Sequence, residues 1–204
     1  MKKNYLLPFL FLFLVILTSC SETSEVGKYD NWQERNEAFI DSLKQVVENK
    51  TDLDLIQITP YGEKRYPIYA KKLKAVKTPS PSSLDSIVTY TDSVNVFYRG
   101  MLIDESVFAA VPSPRYYTKL YQSLIVFDKN FSGDDPTSFD SPTGFWVNRV
   151  VAGWSEVLQR MTLGERWEVY VPWQQGYGSA GTANILGYST LIFDIQLEKI
   201  IKKK

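Results

Sequence analysis

The chain of 204 residues contains no histidine and a single cysteine. Without histidine, general acid–base chemistry loses its usual carrier near neutral pH, and the common zinc sites lose a ligand type. One cysteine cannot close a disulfide within the chain. Lysine plus arginine and aspartate plus glutamate are balanced at 23 each, so no basic face is signalled and a nucleic-acid partner is not expected. Phosphate-loop, dinucleotide-binding and nucleophile-elbow signatures are also missing. The Gly176-Tyr177-Gly178 run with Gly181 lacks the Lys-Ser/Thr that a phosphate loop needs, and Asp134-Asp135 lies in a Pro/Ser/Thr-rich stretch that suits a solvated turn. Metal and cofactor are therefore both expected to be none.

The N-terminus carries its own signal. Lys2 and Lys3 precede an apolar run over 5–17, broken only by Pro8. That run is short for a membrane span and fits the apolar region of a secretory signal. It ends in Leu17-Thr18-Ser19-Cys20, which resembles a bacterial lipobox, and the only cysteine stands where lipidation would occur. Cleavage before Cys20 would leave 21 basic and 23 acidic residues, a net charge of −2. We therefore read 1–19 as a lipoprotein signal peptide and 20–29 as a tether, which implies a cell-envelope protein held to the membrane by its lipid.

Asn31 with Glu34 three residues on has the spacing of a helix cap, and Trp32, Phe39, Leu43 and Val46/Val47 recur at helical period as far as Asn49. The stripe is expected to pack on the domain that follows; dimerisation through the 30–49 helix is the alternative. Alternation over 52–58 and in parts of 66–76 predicts strands, as does the run from Val94 to Tyr98, which Gly100 should weaken or bend. Residues 77–86 read as a loop, and 104–144 as an irregular stretch around one apolar patch at 124–127. Trp154, Val157 or Leu158, and Met161 share a face of a short helix that Gly164 is placed to end. Trp167, Val169 and Val171 alternate with polar neighbours in a strand with one buried face, and 191–198 alternates in the last strand. Together these predict an α+β fold: an antiparallel sheet half-wrapped on a short α-helix, with an N-terminal helical extension.

Many aromatics cluster around that short helix. An apolar aromatic site without nucleophile, base or metal suits rotation about an X–Pro bond. Resonance sets a barrier of about 18–20 kcal/mol, and a less polar, twisted amide is favoured by an apolar pocket.

Four segments sharpen this reading: "YTDSVNVFYRGMLID" at 90–104, "VVAGWSEVLQRMTLGERWEVYVP" at 150–172, "YGSAG" at 177–181 and "STLIFDIQLEKI" at 189–200. In that order they resemble an FKBP-type peptidyl-prolyl cis-trans isomerase over 66–201. With the lipobox they resemble the envelope lipoproteins of that family in Gram-negative bacteria, Bacteroidota in particular. The resemblance implies an FKBP-like curved antiparallel β-sheet wrapped around a short α-helix. It divides the chain into a helix and connecting strand over 30–64 and an isomerase domain over 65–204. Proline-containing polypeptides are the implied substrates.

The resemblance also implies site residues. Trp154 matches the floor beneath the proline ring, Val150 and Val151 the aliphatic pair before it, and the Val151 N–H a donor to a substrate carbonyl. Tyr98 and Phe193 match wall residues, Phe145 the preceding aromatic, Ile185 the flap aliphatic, and Tyr177 the tyrosine that bonds the substrate carbonyl. The family's Phe-Asp pair falls on Phe108-Ala109 without a gap and on Phe127-Asp128 with an insertion over 105–124 that carries Tyr116, Tyr117 and Tyr121. The second placement is preferred, which makes Tyr98, Asp128 and Tyr177 the catalytic set. The flap departs from the family's Ile-Pro-Pro: Ile185-Leu186-Gly187-Tyr188 puts Tyr188 in position to cover or enter the pocket. The rival function is an FKBP-fold chaperone or binding module with little or no turnover.

Overall fold

The computed structural model describes residues 27–74, 86–104 and 124–203. The signal peptide expected over 1–19, Cys20, Phe108-Ala109 and most of the insertion expected over 105–124 lie outside them. Residues 27–30 belong to a different compact unit from the residues that follow, and they form a turn in which the Gly27 N–H donates to Asp30 Oδ2 at 2.7 Å.

In the larger unit, α1 (Trp32–Glu48) is followed by β1 (Leu55–Ile58), β2 (Ile68–Lys74), β3 (Ser93–Leu102), β4 (Ile125–Lys129) and β5 (Thr143–Trp146). Then come α2 (Ala152–Leu158), β6 (Arg166–Val171) and β7 (Leu191–Ile201). The strands form one sheet in the order β1-β2-β6-β7-β3-β4, with β5 also paired to β3. Every pairing is antiparallel. β3 forks: Arg99–Leu102 pairs with β4 and Ser93–Val96 with β5. The irregular stretch expected over 104–144 thus holds two strands. Both are four or five residues long and only half-covered, too short for alternation to announce them.

The two helices lie on opposite faces. Phe39 of α1 meets Tyr170 at 5.9 Å, whereas Trp154 of α2 meets Phe193 at 5.1 Å. Phe193 stands opposite Val169 and Tyr170 opposite Ile192, and successive strand residues point to opposite faces. This corrects the expectation for β6, all six of whose residues are buried; on the face that the pattern had left to solvent, α1 packs on Tyr170 and the segment around Phe131 and Asp134 packs on Arg166.

The α1 stripe is spent inside the chain. Trp32, Asn36, Phe39 and Leu43 are its buried residues. The Trp32 indole donates to Ser189 Oγ at 3.0 Å, and Asn36 Oδ1 accepts the Thr190 N–H at 2.7 Å, so the helix is tied to the segment leading into β7. Two capping expectations fail. Asn31 makes no side-chain cap and sits at φ 49°, in the left-handed region that asparagine tolerates. Gly164 does not end α2, which stops at Leu158; at φ +86° it turns the chain so that its N–H donates to the Leu197 carbonyl at 2.7 Å.

Candidate active site

Trp154 lies in the first turn of α2, and Gly153 lets that turn come close to the sheet. A Cβ on Gly153 would lie 2.4 Å from Val171 Cγ1, so only glycine allows α2 to pack so near β6. Three rings stand edge-on around the Trp154 indole: Tyr98 at 5.4 Å, Phe145 at 5.3 Å and Phe193 at 5.1 Å. Tyr98 and Phe145 also meet edge-on at 5.5 Å, as do Phe127 and Phe193 at 5.8 Å. Edge-to-face pairs are directional, so these rings hold one another in place. The Trp154 Nε1–H is buried and has no hydrogen-bond partner among the described residues.

Above this floor lies a cavity of about 240 Å³. Its walls come from separate elements. β3 supplies Tyr98, β4 Phe127 and Asp128, β5 Phe145, and β7 Phe193; the turn before α2 supplies Arg149, Val150 and Val151, and Tyr177 stands at the mouth. Gly100 makes the β3–β4 wall possible. It pairs with both Asp128 and Phe193, and a Cβ there would lie 2.5 Å from Phe127 Cζ and 2.9 Å from Phe193 Cε1. The expected weakness in the strand is a bulge between Gly100 and Met101.

The polar groups are few and tied. The Tyr98 hydroxyl donates to Asp128 Oδ2 at 2.6 Å. Burial, then that bond to Asp128, pushes the Tyr98 phenol well above its ordinary pKa, so it stays protonated as a donor. Burial raises the Tyr177 phenol too, with a contribution from the Asp128 charge. Tyr177 lines the cavity while 39% exposed, so an incoming group would meet it.

Nine of the ten side chains named from sequence line this one cavity. Ile185 stands apart. It is 5% exposed, and its turn is closed by the Thr182 N–H donating to the Ile185 carbonyl at 2.7 Å. Tyr188 does not enter the cavity; it turns at φ 63° and packs on Trp173 at 5.0 Å.

Two residues escaped the sequence reading. Arg149 sits at the cavity rim, in a position where a single exposed cation carries no pattern. Asn130 fills the fork in β3: its Oδ1 accepts the Tyr98 N–H at 2.8 Å, and its Nδ2 donates to the Val96 carbonyl at 2.9 Å and to Thr143 Oγ1 at 3.0 Å. It thereby sets both Tyr98 and β5. An asparagine just after a short strand reads as an ordinary turn residue, so only the fork reveals its work. The rim is set similarly. The Val147 N–H donates to the Asp92 carbonyl at 3.0 Å, and the Val147 carbonyl accepts from Ser155 Oγ at 2.5 Å.

Comparison with known proteins bears on the same region. A family model described as FKBP-type peptidyl-prolyl cis-trans isomerase matches residues 85–198. The FKBP-type 22 kDa peptidyl-prolyl cis-trans isomerase of Escherichia coli is 32% identical over 117 residues, which cover 57% of this chain and 45% of that protein. The outer membrane protein MIP of Legionella longbeachae is 33% identical over 113 residues, covering 55% of this chain and 38% of that one. The chain thus spans less than half the length of both relatives. The crystal structure of FkpA from Escherichia coli superposes with a TM-score of 0.55 at 21% identity, over 84% of this chain and 62% of that one; at that identity the likeness is one of fold.

Proposed function

Because the chain belongs to the FKBP-type peptidyl-prolyl cis-trans isomerase family, we propose that it accelerates rotation about X–Pro bonds in polypeptides. The observation that carries this reading is the Trp154 floor, boxed by Tyr98, Phe145 and Phe193 with the cavity open above it. A pyrrolidine ring laid on the indole leaves its amide at the rim, between Val150, Val151 and Tyr177. There the amide sheds water. Rotation interrupts its resonance and lowers its polarity, so the twisted form loses less on leaving water than the planar one. The Tyr177 hydroxyl and the Val151 N–H serve as donors that hold the substrate carbonyls while the bond turns. Asp128 keeps the Tyr98 wall in place. An acceleration of about 10⁴ needs roughly 5.5 kcal/mol, within reach of desolvation plus two such hydrogen bonds.

The test is isomerisation of a Leu-Pro tetrapeptide by the purified protein. Acceleration that falls at least tenfold in Tyr177→Phe supports the reading. Peptide binding without acceleration would replace it with the chaperone or binding-module reading.

We further propose that the protein acts in the cell envelope, on secreted or envelope polypeptides, anchored through lipid on Cys20 and a tether over 20–29, as in lipoproteins of Gram-negative bacteria, Bacteroidota among them. Two things support it: the Leu17-Thr18-Ser19-Cys20 sequence, and similarity to a protein described as an outer membrane protein. Incorporation of labelled palmitate that persists in Cys20→Ser would overturn the anchor.

A further inference from the structure

Val150 has two sides. One faces the cavity over Trp154; the other lines a second hollow of about 470 Å³, bordered also by Tyr61, Tyr90, Asn148, Glu156 and Gln159. The two concavities therefore adjoin across a single residue. The hollow carries two large exposed rings, Tyr61 at 73% and Tyr90 at 54% exposure, neither of which contributes to the hydrophobic core.

Local hydrogen bonds hold the backbone beneath both rings. The Tyr61 N–H donates to Glu156 Oε1 at 3.0 Å. The Arg160 guanidinium lies 4.4 Å from the Tyr61 ring centre, and it is fixed in turn by Glu156 at 2.8 Å and the Thr59 carbonyl at 3.1 Å. Tyr90 lies in a turn that Asp92 closes, with its Oδ2 accepting the Thr89 N–H at 2.8 Å. The Tyr61 ring, already held by Arg160, loses little freedom when something packs on it.

The chemistry of the hollow is neutral. Its one carboxylate, Glu156, is engaged by Arg160 and by the Tyr61 N–H, and the Gln159 amide donates to the Ser155 carbonyl at 2.8 Å. What remains to offer is two aromatic faces and the exposed Asn148 amide. That set fits an extended peptide bearing an aromatic or long aliphatic side chain, with Asn148 available to its backbone.

We infer that the hollow is a second subsite for the polypeptide substrate, taking an apolar side chain a few residues from the proline while the proline occupies the Trp154 cavity. The inference rests on the proposed isomerase reading for the place of the proline. It makes the enzyme select the sequence around the X–Pro bond as well as the bond itself.

The experiment compares a Leu-Pro tetrapeptide with peptides extended by five residues on either side of the proline, carrying either phenylalanine or serine at the added positions. Extension with phenylalanine on one side is expected to raise kcat/KM about fivefold over the tetrapeptide, the scale of one good aromatic contact. Serine should raise it less than about twofold. In Tyr61→Ala/Tyr90→Ala the ratio of extended to short peptide should fall to about one; a thermal melt checks that this variant is folded. Equal gains from phenylalanine and serine, or a gain that survives in the double variant, overturn the subsite. If the tetrapeptide is not turned over at all, the isomerase reading falls by itself. Fluorescence anisotropy with the same peptides then decides the subsite. Tighter binding of the phenylalanine peptide that the double variant abolishes upholds it, and equal binding of the two peptides overturns it.

Discussion

The two faces of the sheet are built on opposite principles. Under α2 the face is aromatic and keeps a cavity: four rings pack around and beside Trp154, and the main polar link is Tyr98 to Asp128. On the other face, pairing across the sheet lines up Lys71, Glu168, Asp194 and Arg99 in one row. There Arg166 grips Asp194 through two bonds, at 2.7 and 2.5 Å. Phe131 lies over both cations, 4.6 Å from the Arg99 guanidinium and 5.6 Å from that of Arg166. Glu168 takes the Tyr170 hydroxyl beneath α1. A face of mutually supporting rings can stay open because it holds few polar groups, chief among them the Tyr98 hydroxyl that Asp128 meets. A face of buried charge must be filled until each charge is met.

The sharpest break of this contrast is Trp154→Ala. It removes the floor and the hub of three ring contacts, and is expected to cost about 3–5 kcal/mol of stability and to bring peptide isomerisation down to the uncatalysed rate. Chemical denaturation and the peptide assay read the two effects separately. Asp194→Asn attacks the opposite face. Burial pushes the Asp194 carboxyl up in pKa against the pull of Arg166 and Arg99, so its charge is tolerated only through those cations. Losing it leaves Arg166 short of its bidentate partner, at about 3 kcal/mol, yet kcat/KM per folded molecule should stay within about twofold. A matching fall in kcat/KM would show that the faces are coupled.

Asp128→Ala touches the polar link of the open face. It leaves the Tyr98 hydroxyl without its acceptor, costs about 1–2 kcal/mol, and is expected to lower kcat/KM about tenfold. Activity unchanged in this variant would remove Asp128 from the catalytic set.

The smallest effect on activity is one of pH, which acts on stability instead. Asp92 is 2% exposed. Burial alone would raise its pKa, but bonds from the Thr89 N–H, Lys202 and the Lys203 N–H prevail and hold it at about 2, below the ordinary 3.8. The folded state therefore binds the Asp92 proton less readily than the unfolded chain does. This contribution to stability is complete at neutral pH, fades as the pH drops below about 4, and is gone below about 2. In Asp92→Asn that segment of the stability profile should flatten. Activity should be nearly level between pH 6 and 8, because the chain has no histidine and both cavity phenols are held protonated.

Much of this was legible in the residues. Alternation marked β3 and β7 because each is long, ten and eleven residues. The Trp32, Phe39 and Leu43 spacing marked α1, and the segment from Val150 to Pro172 carried the family resemblance on which the site residues were named. Other features were not legible. β4 and β5 are short and half-exposed, so their apolar residues show no period. Tyr188 was expected at the cavity on sequence position alone, but its positive φ turns the ring to Trp173. Neither Arg149 nor Asn130 belongs to a local pattern.

By itself the sequence determined the kind of chemistry open to this protein and the periods of its longer elements. A chain without histidine lacks the usual acid–base carrier near neutral pH whatever its fold, and a long apolar period is read from the residues alone. Only the tertiary structure decided that β6 is covered on both faces, that the rings of β3, β5 and β7 close around Trp154, and that a second hollow begins on the far side of Val150. Those are matters of register and of which helix lands on which face, set by pairings between residues far apart in the chain, and no local window of residues records them.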